Sequence, residues 1–346
     1  MNKKILLGMS GGIDSSMAIK LLQDNGYKVV GATLQLYGNQ DTAEIKRIVA
    51  HFGIQHFFVD ARQAFAESVV SYFVDEYFDG RTPSPCVFCN QHIKFPTLIK
   101  IADQHKIDFV ATGHYVSKDI LQSRYYICKG IDKKKDQSYY LWRLKQDILQ
   151  RVIFPLGIYK KDTIKRMAEK ENLMFLLTKK ESMGVCFLKK ENYRKLIMEH
   201  CKKKFLKIVS GKVINQDGIE IGHHEGYPFY TIGQKNGLNL NIQGEFYVSR
   251  INAEQNIIEV NKKESLHVKE FDITEYYFHE MNDINSSGIE IKVRGLGLNP
   301  DGFVKIHIID EKYARVSLEN EAWAMAPGQP VVFYDNNRVI GGGYVK

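Results

Sequence analysis

Lys4–Ser16 reads KILLGMSGGIDSS, and the fold of the chain is decided by how this stretch is read. Ile5, Leu6 and Leu7 form a short apolar run of the kind that is buried on both faces of a parallel sheet. Gly8-Met9-Ser10-Gly11-Gly12-Ile13-Asp14-Ser15-Ser16 follows, and then Met17, Ala18, Leu21 and Leu22 recur at helical spacing as far as Asn25-Gly26, where glycine permits a left-handed cap. Strand, Gly/Ser loop and helix make a phosphate-binding layout. Backbone N–H groups can approach an anion, the serines add donors, and the helix N-terminus supplies positive potential. The plain alternative is a tight turn between a strand and a helix. With no Lys after a GxxxxG spacing and no GxGxxG, the loop is neither of the commonest phosphate loops.

Outward from this stretch, strand and helix alternate. Tyr27–Leu36 reads as a strand, 41–52 as a helix, Ile54–Asp60 as a strand, Ala61–Phe78 as a helix, Ile93–His105 as a helix and Phe109–Thr112 as a strand. This predicts an α/β fold with a doubly wound parallel sheet, and a ligand crevice beyond the carboxyl ends of its strands. From about Tyr125 to Lys207 the chain reads as mixed, basic and mostly helical. After Ile208 short runs rich in Val, Ile, Tyr and Phe alternate with Gly, Asn and Asp, which predicts small antiparallel β-barrels. A composition dip near Glu264–Lys269 divides two of them.

The 346 residues are 44% apolar and 25% charged, the composition of a globular protein with ample core. No apolar run is long enough to span a bilayer, and no signal-peptide pattern is present. The five cysteines (Cys86, Cys89, Cys128, Cys186 and Cys201) are an odd number in a large chain, which points to the cytoplasm and to chemical rather than structural thiols. Charge is uneven: Lys129–Lys207 carries a net +13 within a chain of net +8. Such a segment is either a solvated helical surface or a polyanion-binding face, where Lys and Arg displace condensed counterions.

Arg81-Thr82-Pro83-Ser84-Pro85-Cys86-Val87-Phe88-Cys89-Asn90 is the second constellation. Its two prolines predict an extended, stiff approach that holds the thiols. A single CxxC admits a redox pair, half of a metal site, or a nucleophile with a neighbour. Cys186 lies far along the chain between Lys179, Lys180, Lys189 and Lys190, a setting that favours thiolate. Cys128 and Cys201 read as ordinary thiols.

SGGxDS resembles the loop of the PP-loop ATP pyrophosphatases. The wider set resembles the tRNA-specific 2-thiouridylase family in order along nearly the whole chain: GMSGGIDSS, GRTPSPCVFCNQHIKF (Gly80–Phe95), ATGHY (Ala111–Tyr115), KDQSYYLW (Lys135–Trp142), FPLGIYKK (Phe154–Lys161), ESMGVCF (Glu181–Phe187), YTIGQKNGL (Tyr230–Leu238) and PGQPVVFYDNNRVIGGG (Pro327–Gly343). The resemblance implies ATP-dependent 2-thiolation of a wobble uridine. ATP and Mg2+ would be held by Gly8, Met9, Ser10, Gly11, Gly12, Ile13, Asp14 and Ser15, with Leu34 and Gly113 on the adenosine side. It implies Cys186 as the persulfide carrier and Cys89 as the nucleophile. Ser84, Pro85 and Cys86 would contact the target base, and His114, Lys135, Asp136, Gln137, Arg294 and Gln329 the tRNA.

Implied partners are tRNA, a persulfide-carrying sulfur donor protein and a disulfide reductant, with no membrane. The implied division is a PP-loop domain over 1–128, a basic tRNA-binding region over 129–207, a central β domain over 208–268 and a C-terminal barrel over 269–346.

Departures from the family pattern are Cys86 for Asp, Ser84 for Asn, Gly295 for an aromatic Tyr after Arg294, and a short segment after Leu36. Cys86 keeps a second sulfur route open, a [4Fe-4S] cluster on Cys86, Cys89 and Cys186. Two further readings remain: an adenylating ligase of the same superfamily, which would not need the cysteines, and a tRNA binder without catalysis, which would be expected to lose loop or cysteine residues.

Overall fold

β1 (Lys4–Gly8) is the middle of a five-stranded parallel sheet. β2 (Lys28–Gln35) and β3 (Gln55–Asp60) lie on one side of it, β4 (Phe109–Thr112) and the short strand Val152–Ile153 on the other. Residues 3–38, 42–178, 184–188, 193–204, 207–295 and 299–346 are described by this computed structural model. Alternate side chains of β1 enter two separate cores. Ile5 and Leu7 pack with Met17, Leu21 and Leu22 of α1 (Ile13–Asp24), whereas Leu6 packs with Phe95, Leu98 and Trp142. Each such fully buried aliphatic side chain contributes roughly 1.5–3 kcal/mol. The expected doubly wound sheet is therefore present, with its first crossover running through the Gly/Ser loop.

Two local expectations change. The helix over 62–78 contains a π-helical turn, Ala66–Val70. The break expected from Asp79 to Asn90 ends earlier, because Pro85 occupies the first helical position, where its missing N–H costs nothing. Pro85–Cys89, a π-helical turn Asn90–Lys94 and Phe95–Gln104 run on as one helix. The CxxC thus lies on a helix rather than on an extended approach.

The basic stretch is helical in short pieces, including Gln146–Leu149, Lys161–Lys170 and Tyr193–Lys204. Before it, the unexpected hairpin Val116–Leu121/Arg124–Lys129 pairs with the C-terminal strand at Cys128↔Arg338. Val332, Tyr334, Val339 and Tyr344 enter the same core as Leu6, so the C-terminal barrel and the first sheet share apolar contacts.

The central β domain departs from purely antiparallel pairing, since Gly211–Ile214 runs parallel to Ile257–Asn261. In the C-terminal barrel the sequence reading omitted its longest strand, His267–Phe278, which pairs with both Tyr313–Trp323 and Arg338–Val345.

Candidate active site

The loop after β1 is closed on itself by its serines. Ser10 N–H donates to Ser15 Oγ (3.2 Å), and the Ser15 and Ser16 hydroxyls donate to the Gly12 carbonyl (3.1 and 2.9 Å). Gly12 is the N-cap of α1, and no side chain caps that end. The N-terminal turn of α1 is thus without a side-chain cap, the condition under which its N–H groups can serve an anion. Gly113, just beyond β4, lies against the backbone of Asp14 and Ser15: a Cβ there would sit 3.1 Å from Ser15 N and 3.2 Å from Asp14 C. Only glycine allows β4 to approach the loop so closely. Met9 and Ile13 are core residues, and Leu34 packs at the edge of the core beside β1.

Asp14, in the first turn of α1, accepts from Lys161 Nζ on both carboxylate oxygens (2.7 Å each) and from the Tyr115 hydroxyl (2.5 Å). Lys161 and Tyr115 were not singled out in the sequence. Both lie inside quoted strings, but their link to Asp14 spans 147 and 101 residues and leaves no local signal. A lone carboxylate would oppose a bound phosphate: about 4 kcal/mol per charge at about 4 Å and an effective dielectric of about 20. Lys161 removes that repulsion.

Ser84 occupies the N-cap position, without a side-chain capping bond, of the helix that carries Cys86 and Cys89, and the helix sets the two thiols three residues apart on one face. Cys89 is 7% exposed and Cys86 partly buried. Burial pushes the Cys89 thiol up to about 11, with the Lys94 ammonium pulling the other way and the Cys186 and Cys86 thiols adding to the rise. Burial also raises Cys86, again opposed by Lys94 and reinforced by Cys186.

Cys186 is exposed on the turn Cys186–Leu188. It is held there by Phe187, whose ring meets Phe65, Phe73 and Tyr37 at 5.6, 5.3 and 6.2 Å. The fold thus brings Cys186 within electrostatic reach of Cys86 and Cys89, about a hundred residues earlier in the chain. Lys94, also missed in the sequence, is the described cation that acts on both helix thiols. The lysines expected to activate Cys186 (Lys179, Lys180, Lys189 and Lys190) lie outside the described residues.

Among the described residues no group of three or more His, Cys, Asp or Glu side chains is disposed to hold a metal ion. The three thiols as placed do not fit a cluster. Cys128 and Cys201 are both buried, and burial raises both thiols.

The remaining expected positions fall into two groups. Ser84 and Pro85 start the cysteine helix, and the loop before them lies on the C-terminal barrel, with Thr82 N–H donating to the Pro327 carbonyl (2.7 Å). Gln329 and Arg294 line an open cavity of about 470 Å³ with Thr231, Gly233, Gln234 and Trp323. Arg294 also donates to the Trp323 and Ala324 carbonyls (3.0 and 2.9 Å).

His114, Asp136 and Gln137 are engaged inside the protein. His114 Nδ1 is 2.7 Å from Thr112 Oγ1, its ring stacks on Phe95, and burial together with Lys94 keeps it neutral. Asp136 accepts from Lys292 Nζ (2.7 Å), Ser138 Oγ (2.8 Å) and the Gly130 N–H (3.1 Å). Gln137 Oε1 accepts from the Tyr115 N–H (2.9 Å), which ties this segment to the Asp14 site. Lys135 is half-buried beside exposed Lys133 and Lys134.

A HUP-class nucleotide-binding domain is what this sheet and loop define. Family profiles match along the chain in order: a tRNA methyl transferase HUP domain over 3–190, a tRNA methyl transferase PRC-barrel domain over 199–262, and an aminomethyltransferase beta-barrel domain over 268–345. Three tRNA-specific 2-thiouridylases are similar over nearly their whole length. The Phocaeicola vulgatus protein is 36% identical (99% of this chain, 94% of the relative). That of Cytophaga hutchinsonii is 37% identical (100% and 98%), and that of Clostridioides difficile 36% (100% and 99%). The chain belongs to the tRNA-specific 2-thiouridylase family.

Proposed function

We propose that this protein is an ATP-dependent sulfurtransferase that converts a uridine of tRNA, the wobble uridine of an anticodon, into 2-thiouridine. The observation that carries the reading is the adjacency of the two chemistries. Gly113 packs on the nucleotide loop, His114 follows it directly, and the His114 ring stacks on Phe95, which lies on the same continuous helix as Cys86 and Cys89. No described helix is long and apolar enough to cross a membrane, and a cytoplasmic enzyme of tRNA is the reading adopted.

The uracil O2 is a poor leaving group, and transfer of AMP to it makes it a good one. O2 attacks the α-phosphorus, the bond to the β-phosphate breaks, and pyrophosphate leaves from the Gly8–Ser15 loop at the N-terminus of α1. Asp14, the loop's one carboxylate, would hold the magnesium that accompanies the nucleotide, which would offset phosphate charge. The sulfur route through Cys186 and Cys89 balances without a cluster. Cys89 thiolate attacks the inner sulfur of a Cys186 persulfide, giving a Cys89–Cys186 disulfide and hydrosulfide. Hydrosulfide then attacks C2 of the adenylated base, and AMP departs. A reductant returns two electrons to the disulfide, and a persulfide-carrying protein reloads Cys186. Cys86, Ser84 and Pro85 line the place of the target base, which must be splayed from its loop to reach the thiols. Arg294, Gln329 and the Lys133–Lys135 turn support tRNA binding on the adjoining faces. Domain limits at 128, 207 and 268 are part of the same proposal.

Purified protein, tRNA, ATP and a persulfide donor test it. Mass spectrometry of digested tRNA should show 2-thiouridine, with AMP and pyrophosphate formed in step with it. ADP and phosphate as main products would refute adenylation.

A further inference from the structure

The Asp14–Lys161 pair covers its cation at the phosphate loop and leaves its carboxylate 33% exposed. Lys161 has only 6% of its side chain exposed, and its ammonium lies 2.7 Å from both oxygens of Asp14. It stands at the start of the helix Lys161–Lys170, which packs on α1, so a folded, covered element delivers its charge to the first turn of α1. A carboxylate at that turn already stabilises the helix end. Replacing both partners of such a pair by apolar side chains can leave the fold intact, whereas removing Lys161 alone leaves Asp14 without its cation. The cation gains a further use when a second anion arrives, because the pair makes the loop electrically neutral instead of repulsive. Tyr115 secures the arrangement from the other side: its hydroxyl donates to Asp14, and its ring lies 5.8 Å from Lys161 Nζ.

We propose that Lys161 is a catalytic cation of the ATP-cleaving step. Asp14 holds it in reserve; when nucleotide fills the loop, Nζ turns to the β- and γ-phosphate oxygens and takes up the negative charge that develops on the departing pyrophosphate. The reaction keeps its balance as written above, with no proton passing through Lys161. This inference rests on the ATP-cleaving reading of the loop and assigns a residue to it.

The test is calorimetric binding of ATP, AMP and inorganic pyrophosphate to the full chain, with tRNA affinity and thermal midpoint measured alongside. Lys161→Met should weaken ATP and pyrophosphate by about 10- to 100-fold, the worth of one charge-assisted hydrogen bond. AMP and tRNA affinities should stay as in the parent protein. AMP formation should fall by about 10²–10³-fold, as when a donor to developing charge is removed. Lys161→Arg, which keeps the charge, should restore part of the pyrophosphate affinity.

Measured in magnesium-free buffer, where Asp14 has no metal to hold, Asp14→Asn leaves Lys161 in place and removes the competing carboxylate. It should bind pyrophosphate at least as tightly as the parent, which keeps the test decisive if Lys161→Met does not fold. Equal loss of AMP and pyrophosphate affinity in Lys161→Met, or abolished pyrophosphate binding in Asp14→Asn, would overturn the assignment and leave Lys161 a structural strut. If the parent protein binds neither ATP nor pyrophosphate, the ATP reading itself falls.

Discussion

The nucleotide loop and the thiol site lie side by side but are built in opposite ways. In the loop the polar groups are already committed: Ser10, Ser15 and Ser16 to one another and to Gly12, Asp14 to Lys161 and Tyr115, with Gly113 pressed against the backbone. The thiol site is unfinished. Cys89 is buried with its thiol pushed up to about 11, while Cys186 is exposed on a three-residue turn whose one deep anchor is Phe187. A preorganised site suits a step whose charge develops in a fixed place. A thiol kept protonated until substrate arrives suits a step that would otherwise waste sulfide or form a disulfide early.

The largest effect expected from this contrast is a clean separation of the two half-reactions. Asp14→Ala should abolish AMP formation and thiolation together and leave tRNA affinity nearly intact. Cys89→Ser and Cys186→Ser should each remove 2-thiouridine by more than about 10³-fold, since an oxygen nucleophile cannot take part in persulfide exchange. ATP affinity should be unchanged in both. Cys86→Ser should keep a measurable fraction of activity in aerobically handled protein. Full inactivity of Cys86→Ser, together with stoichiometric iron and sulfide in anaerobic preparations, would break the persulfide assignment and restore the cluster.

Thiol reactivity sharpens the same comparison. With its pKa raised to about 11, Cys89 is thiolate in only about one molecule in 10⁴ at pH 7. Alkylation followed by peptide mass spectrometry should therefore label Cys186 first and Cys89 about 10²-fold or more slowly. The Cys89 rate should climb about tenfold per pH unit as far as pH 11, because raising pH supplies the thiolate that burial withholds. Lys94→Met should slow Cys89 further and leave Cys128 as it was. A Cys89 rate that levels off near pH 8 would show an activated thiol in the free enzyme.

How legible each region was in the sequence follows from the range of its interactions. The loop is local: Gly8–Ser16 holds its own hydrogen bonds within six residues, and its strand and helix flank it directly, so its pattern could be read. Cys86, Cys89 and Cys186 were visible as residue types, but their states depend on Lys94 and on burial that no spacing encodes. Lys161 and Tyr115 were invisible for the same reason. The strand His267–Phe278 escaped because Lys269, Glu270, Asp272 and Glu275 interrupt its apolar pattern; the strand is mostly exposed or half-buried. The start of the cysteine helix was misjudged because Pro83 and Pro85 both read as breakers, whereas Pro85 is an N1 proline. The charge count overstated the free basic surface. Lys129, Arg143, Arg151 and Lys161 are paired with Glu290, Glu275, Asp103 and Asp14, while Lys133, Lys134, Lys145, Lys160, Arg166 and Lys170 are among the cations that stay exposed.

A smaller effect is expected from those lysines. Replacing Lys133, Lys134 and Lys135 together by Ala should lower the slope of log affinity against log salt by about 0.7–0.9 for each phosphate no longer neutralised. Binding of all tRNAs should weaken alike, with ATP affinity and thiol reactivity unaltered. An unchanged slope would make the turn merely solvated.

The smallest effect concerns Gly295, which stands where the family pattern has an aromatic residue. A Cβ at 295 would lie 2.3 Å from Tyr140 Oη, 2.6 Å from Tyr140 Cζ and 3.0 Å from Tyr139 Cδ1, so Tyr140 already fills the space a side chain would take. Tyr140 in turn receives the Asn90 side-chain N–H on its carbonyl (3.0 Å), beside Cys89, and feels the Cys86 thiol. Gly295→Ala should therefore cost about 1–3 kcal/mol through overpacking and lower the thermal midpoint by a few degrees. Tyr140→Phe removes the closest atom but leaves the ring, so the double variant should recover part of the loss, with a coupling above about 0.5 kcal/mol. The strain should reach the thiols and spare the loop: alkylation of Cys86 should change by a few-fold while pyrophosphate affinity holds. Additive stabilities would detach Gly295 from Tyr140, and a loss of pyrophosphate affinity would show that the two sites are mechanically one.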